Sequence, residues 1–132
     1  MLPPEYREIL LSRSPSGKLA LTTYDECVVG FPLPEWEEFE AKINSVKAAP
    51  RRLRDFRRKV LGGAVITEPD GQGRIRLSHE HLDYAGIGRE AILMGQGPRF
   101  EIWSPQRLAP VLSDSYEDVS QDLAEAGIDL LI

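Results

Sequence analysis

The strongest constraint on the fold is that the same order of short segments occurs twice along the chain. Each copy consists of a short helix, two strands and a second helix that starts at a proline, with proline, glycine and serine between the segments. The first copy comprises residues 2–11, 18–23 and 27–31 and a helix from Pro34, and the second comprises residues 77–82, 90–94 and 99–103 and a helix from Pro105. This order predicts an α+β fold, mainly β, that is built from two tandem repeats.

Local signals support the helices in both copies. Pro34 and Pro105 suit the first helical position, where the missing N–H is not needed. Ser78 and Ser104 are predicted N-caps, and Gly86 is a predicted helix end. Proline at position 110 predicts a break before a final helix, whose start at residue 114 has a capping-box pattern with Glu117.

A basic helix and a hairpin are predicted between the two copies. Apolar residues at helical spacing over residues 50–61 oppose a row of arginines, and Gly62-Gly63 ends the helix. Residues 64–68 and 74–77 are then predicted to form a hairpin around an Asp-Gly turn. The first copy has no such hairpin, so we expect the chain to begin within its first repeat. The predicted division is a first repeat over 1–47, a basic linker helix over 48–63, a second repeat over 64–112 and an acidic C-terminal helix over 113–132.

Charge is distributed unevenly along the 132 residues. The net charge is −5, yet residues 47–76 carry nine basic and three acidic side chains. Such a cationic stretch predicts a local anion-binding face on Arg51, Arg54 and Arg58, although it equally fits the solvated side of a helix. No apolar run is long enough to span a bilayer, and a single cysteine with two histidines makes a metal site a poor prediction. We therefore expect a soluble intracellular protein without cofactor, membrane contact or small-molecule substrate.

The sequence resembles the MraZ family, two-repeat relatives of the AbrB/SpoVT DNA-binding domains. The resemblance rests on the segment order, on an Asp-x-x-x-Arg signature at Asp70 and Arg74 followed by Ile75-Arg76-Leu77, and on the strand Arg99-Phe-Glu-Ile-Trp103. It implies a swapped-hairpin β-barrel with peripheral helices and a ring-like homo-oligomer. It also implies a cytoplasmic, nucleoid-associated regulator of transcription, often negative, that binds repeated DNA sites upstream of its own gene in the division and cell-wall cluster.

Strand alternation identifies the candidate DNA-binding side chains. Gln72, Arg74 and Arg76 fall on one face of the signature segment, and Ile75 and Leu77 fall on the other. The two guanidinium groups are then about 6 to 7 Å apart on an exposed strand, where arginine can grip phosphate or guanine and glutamine can read adenine.

Structural roles compete with these assignments. An ion pair between Arg74 and Asp70 would brace the turn, and Asp70 is expected to bind backbone N–H groups there. Gly71 and Gly73 are expected to supply turn dihedrals. His79 and His81 are expected to have surface or capping roles, Cys27 is expected in the core, and Trp36 and Trp103 are expected in the core or between subunits.

Alternative functions also remain open. The same barrel would serve as an antitoxin-like interaction module if the acidic part from Asp114 to Asp129 docks a basic partner. A truncated family member without DNA binding is another alternative. An enzyme is disfavoured, because no acid/base pair or nucleophile dyad stands out.

Overall fold

The computed structural model describes residues 2–114 and 119–129 and has the predicted mixture of helices and strands. The helices are α1 (Pro4–Arg13), α2 (Leu33–Asn44), α3 (Arg51–Phe56), α4 (His79–Ala85), α5 (Pro105–Ser113) and α6 (Ser120–Glu125), and α3 continues as a π-helical segment, Arg57–Leu61. The strands are β1 (Leu19–Tyr24), β2 (Cys27–Pro32), β3 (Val65–Thr67), β4 (Ile92–Gln96) and β5 (Arg99–Trp103). Both copies of the predicted order are present, as α1-β1-β2-α2 and α4-β4-β5-α5.

The strands form one antiparallel sheet in the order β3-β1-β2-β5-β4. The β1-β2 and β4-β5 hairpins each come from one copy, and they join where Val28 pairs with Ile102 and Gly30 pairs with Phe100. The sheet of the described residues is open, with β3 and β4 at its edges.

The hairpin predicted for residues 64–68 and 74–77 does not form a ladder. Strand β3 is shorter than predicted and pairs with β1, so that Ile66 lies opposite Ala20. Residues 73–78 belong to no strand. The physical reason is that Ile75 and Leu77 pack against the core beside α1 instead of continuing along β3.

Helices cover both faces of the sheet because its apolar side chains alternate. On one face, Leu19, Leu21, Val28, Phe100 and Ile102 pack with Leu2 and Leu10 of the N-terminal segment and with Ala85 of α4. On the other face, Ala20 packs with Trp36 of α2 and Val60, while Cys27 and Val29 pack with Trp103 and Leu108 of α5. Each large aliphatic side chain removed from water contributes roughly 1.5–3 kcal/mol, so this core fixes the helices against the sheet.

The predicted caps are confirmed. The Ser78 hydroxyl accepts a hydrogen bond from the His81 N–H at 3.2 Å, and the Ser104 hydroxyl accepts one from the Arg107 N–H at 3.3 Å. Gly86 ends α4 in the left-handed conformation with φ +66°. Serine side chains thus satisfy backbone donors that a helix start leaves free.

The C-terminal part departs from the prediction. Pro110 lies inside α5 instead of ending it. Proline lacks a backbone N–H but keeps its carbonyl, which accepts a hydrogen bond from the Asp114 N–H at 3.0 Å, so helical bonding continues beyond Pro110. The acidic helix predicted over 113–132 is the shorter α6 among the described residues, and part of it, including Glu117 of the capping box, lies outside them.

Candidate nucleic-acid interface

The signature segment forms a tight turn that the Asp70 side chain closes. The Asp70 carboxylate accepts hydrogen bonds from the backbone N–H groups of Gln72 at 2.8 Å and Arg74 at 2.9 Å. The backbone adds two further bonds, from the Asp70 N–H to the Arg74 carbonyl and from the Gly73 N–H to the Asp70 carbonyl, each at 2.9 Å. Asp70 therefore has the turn-forming role that the sequence predicts.

These contacts change the acidity of Asp70. The hydrogen bonds from the Arg74 and Gln72 N–H groups, and then the nearby charges of Arg74 and Arg7, hold the pKa of the carboxyl below its ordinary value of 3.8. The carboxylate is therefore the form that closes the turn at neutral pH.

The alternation predicted for the following residues is present. Gln72, Arg74 and Arg76 are exposed, whereas Ile75 and Leu77 are half-buried and pack against the core. Among the described side chains, the Arg74 guanidinium forms no ion pair with Asp70, because that carboxylate is directed at the backbone instead. The turn and the residues directly after it thus display two guanidinium groups and an amide to solvent.

The two glycines of the turn differ. Gly73 has φ +78°, a conformation that side chains rarely adopt, and so it supplies the dihedral that the sequence predicts. The expectation for Gly71 is wrong: its φ is not in the left-handed region, and a Cβ there would meet open space.

Arg7 of α1 also belongs to the turn, and sequence reasoning missed it. Its guanidinium donates to the carbonyls of Leu2, at 3.0 Å, and of Gln72, and the Leu2 N–H donates to the Gly73 carbonyl at 2.7 Å. Arg7 and Gln72 are 65 positions apart, so no local pattern could have paired them.

The arginines of the predicted second basic face bind partners that are close to them in sequence. Asp55 lies between Arg51, at 3.7 Å, and Arg58, at 2.8 Å, while Arg54 donates to the Ala49 carbonyl at 2.7 Å. All three arginines remain exposed, and exposed ion pairs of this kind contribute little free energy. Their charges are therefore still accessible to an anion.

Arg57 does not share that solvated face. Its guanidinium donates to the carbonyls of Ile43 at 2.8 Å and Val46 at 2.7 Å, and so it caps the C-terminal end of α2. Carbonyls left free at a helix end attract such a cation.

The other candidates have structural positions. His79 is exposed and its Nε2 lies 3.3 Å from the Asp83 carboxylate. Of the surface or capping role expected for His81, the surface alternative is wrong, because this side chain is buried and its Nε2 lies 2.7 Å from the Gly63 carbonyl. Trp36 and Trp103 are buried in the core. Burial, and then the charges of Glu101 and Asp25, raise the pKa of the Cys27 thiol to about 12, which keeps this core residue protonated.

The described residues contain neither a metal-binding cluster nor a helix suited to span a membrane. No group of three or more His, Cys, Asp and Glu side chains in residues 2–114 and 119–129 is placed to hold a metal ion. In the same part of the chain, no helix has the length and apolar character needed to cross a bilayer.

Comparison with known proteins gives a consistent match. Residues 60–129 match the family described as "MraZ protein, putative antitoxin-like". Proteins named transcriptional regulator MraZ from two strains of Nitratidesulfovibrio vulgaris are 52% and 54% identical to this chain, over 98% of its length and 87% of theirs. The protein of that name from Oleidesulfovibrio alaskensis is 47% identical over 100% of this chain and 89% of its own. The family resemblance read from the signature and the duplicated segments is therefore confirmed, and the chain belongs to the MraZ family.

Proposed function

We propose that this protein is a DNA-binding transcriptional regulator. The observation that carries the proposal is the exposed row of Gln72, Arg74 and Arg76, presented on a turn that Asp70 closes from within. The names of the relatives support the same function.

Recognition would use both guanidinium groups and the amide. Arginine donors pair bidentately with phosphate oxygens or with the acceptor edge of guanine, and a glutamine amide pairs with adenine. Because hydrogen bonds order the backbone of the turn, it would present these groups with little loss of conformational freedom on binding.

A second contact is proposed for the basic helix. Arg51, Arg54 and Arg58 would approach the phosphate backbone, supported by their exposure and by the cationic surroundings of residues 47–76. Such contacts would add affinity without sequence preference.

We also propose the wider arrangement that the family resemblance implies. The protein would act in the cytoplasm, on the nucleoid, at repeated sites upstream of its own gene in the division and cell-wall cluster. It would bind them as a ring-like homo-oligomer, in which several weak contacts give a high effective concentration. A swapped-hairpin barrel would complete each unit, and the open sheet of the described residues supports this because its edge strands β3 and β4 could pair with further strands.

The test is fluorescence anisotropy on DNA from upstream of the gene, with a scrambled fragment as control, at several salt concentrations. We expect preference for the upstream fragment and affinity that falls as salt rises. Arg74→Ala and Arg76→Ala should each weaken binding about tenfold or more, and together abolish it, without loss of the fold. Lys42→Ala is the matched control, since it removes one cation from an i,i+4 pair on α2. Binding that survives the double substitution would refute this interface.

A second candidate, an antitoxin-like interaction module, is favoured by the wording of the family description and by α6. Asp122 and Glu125 belong to this helix, and the nearby Val119 and Ile128 are exposed. Co-elution with the product of an adjacent gene, lost on Asp122→Lys with Glu125→Lys, would support it. If the protein instead shows DNA preference and does not co-elute, the module hypothesis fails.

A further inference from the structure

Helix α1 and the signature turn are connected by backbone and side-chain hydrogen bonds. The Leu2 N–H donates to the Gly73 carbonyl at 2.7 Å, and the Arg7 guanidinium bridges the carbonyls of Leu2 and Gln72. The two acceptors in the turn, the Gly73 and Gln72 carbonyls, are backbone atoms of the segment that carries the Gln72 and Arg74 side chains. Arg7 therefore acts on the path of the chain there and not on one exposed side chain.

The N-terminal segment at the base of this connection is anchored in the core. Leu2 is 2% exposed and Leu10 is 6% exposed, so both ends of the N-terminal segment are embedded in the core. Between them, the Tyr6 ring packs against Phe100 of β5 with the ring centroids 6.2 Å apart. Because α1 is packed on the sheet, the hydrogen bonds of Arg7 connect the turn to the sheet through this helix.

The turn is shaped to receive Arg7. A Cβ at Gly73 would overlap the Arg7 guanidinium, so the glycine supplies space as well as its positive φ. Arg7 is half-buried, whereas Arg74 and Arg76 are exposed. This difference separates an arginine that holds the turn from arginines that are free to bind an anion.

We propose that Arg7 is a positioning residue for DNA recognition, which holds the Gln72–Arg76 segment in its binding conformation by bridging it to α1. The inference rests on the proposed function, because the effect of fixing the turn is measured as affinity for DNA. A lysine at position 7 would keep the charge but not the planar fork of donors that serves both carbonyls.

The experiment compares Arg7→Ala and Arg7→Lys with Arg13→Ala and Arg74→Ala in the full chain. Arg13 is the matched control, since it lies on the same helix and its guanidinium binds Glu35 at 3.0 Å instead of the turn. Affinity for the upstream DNA fragment is measured across salt concentrations. Hydrogen exchange at the Gly73 and Arg74 amides reports the turn without DNA.

Both Arg7 variants should weaken binding about tenfold, the order expected when a group must be ordered on binding, and both should speed amide exchange in the turn. The dependence of affinity on salt should stay unchanged for them, whereas Arg74→Ala lowers its slope by about one if Arg74 contacts phosphate. Arg7→Lys keeps the aliphatic stem, and so it tests the role even where the alanine variant fails to fold.

Three outcomes would overturn the inference. Arg7 variants that behave like Arg13→Ala would show that the bridge is dispensable. Full rescue by lysine, together with a lower salt slope in Arg7→Ala, would make Arg7 a direct phosphate contact. Unchanged exchange at Gly73 and Arg74 would show that the turn holds itself. If Arg74→Ala leaves DNA binding intact, the proposed interface fails, while amide exchange still decides whether Arg7 holds the turn.

Discussion

At the scale of single residues, Asp70 controls the turn because its carboxylate satisfies two backbone N–H groups at once. Its pKa is lowered in the folded protein, so the ionised form stabilises the turn at pH values above the ordinary carboxyl pKa. This contribution is lost as the pH falls through the lowered pKa.

We therefore expect the turn to weaken as the pH is lowered from the ordinary carboxyl pKa of 3.8 through the lowered pKa of Asp70. The measurement is an NMR titration that follows the Asp70 carboxyl together with the Gln72 and Arg74 amides. Asp70→Asn should remove this step of the titration, since asparagine keeps an acceptor but has no charge to lose. A carboxyl midpoint at or above 3.8 would contradict the prediction.

Gly73→Ala should destabilise the protein by about 1 kcal/mol or more, because alanine is strained at φ +78° and its Cβ would displace Arg7. Urea denaturation gives the free energy of unfolding. Gly71→Ala is the matched control, where a Cβ meets open space and the expected change is within about 0.5 kcal/mol. Equal losses at the two glycines would refute this account of the turn.

At the scale of elements, the basic helix is attached to the sheet by a buried hydrogen bond. The Thr22 hydroxyl of β1 donates to the Val60 carbonyl at 2.5 Å, and Thr22 is 1% exposed. This bond lies where α3 continues as the π-helical segment, and it fixes the cationic stretch relative to β1.

Thr22→Val should cost about 1–3 kcal/mol of unfolding free energy, because the isosteric change leaves the Val60 carbonyl buried without this donor. Thr23→Val, at the neighbouring and half-buried position, should change stability much less. Chemical denaturation of both variants makes the comparison. Indistinguishable midpoints would show that Val60 finds another partner.

At the scale of the whole molecule, a cationic stretch lies within a protein of net charge −5. If the protein binds DNA as proposed, the acidic surroundings would repel DNA at long range, while the exposed arginines would attract it at contact. Affinity for unrelated DNA is therefore expected to depend on both the repulsion by acidic residues and the attraction by arginines.

Glu37→Gln with Glu38→Gln on α2 should raise affinity for non-specific DNA at low salt, because both carboxylates are exposed and their removal weakens the repulsion. The gain should disappear near physiological salt, where the screening length is about 8 Å. Anisotropy on a scrambled fragment at two salt concentrations measures it. A gain that persists at high salt would indicate a local contact instead.

Sequence reasoning succeeded where the decisive interaction is local. The serine caps, the two hairpins of the central sheet and the alternation of Arg74 and Arg76 with Ile75 and Leu77 all depend on residues within a few positions of one another. The duplicated order and the signature were also enough to predict the family.

Sequence reasoning failed where the partners are distant in sequence. Examples are the pairing of β3 with β1, the burial of His81 and the hydrogen bond of Arg57 to the Ile43 carbonyl. The sequence by itself determined the local segments, the exposed arginine row and the family. Only the tertiary structure decided that the sheet of the described residues is open and that Arg7 holds the signature turn. The reason is physical: Arg7 and Gln72 are brought together by the packing of α1 on the core, which no local pattern encodes.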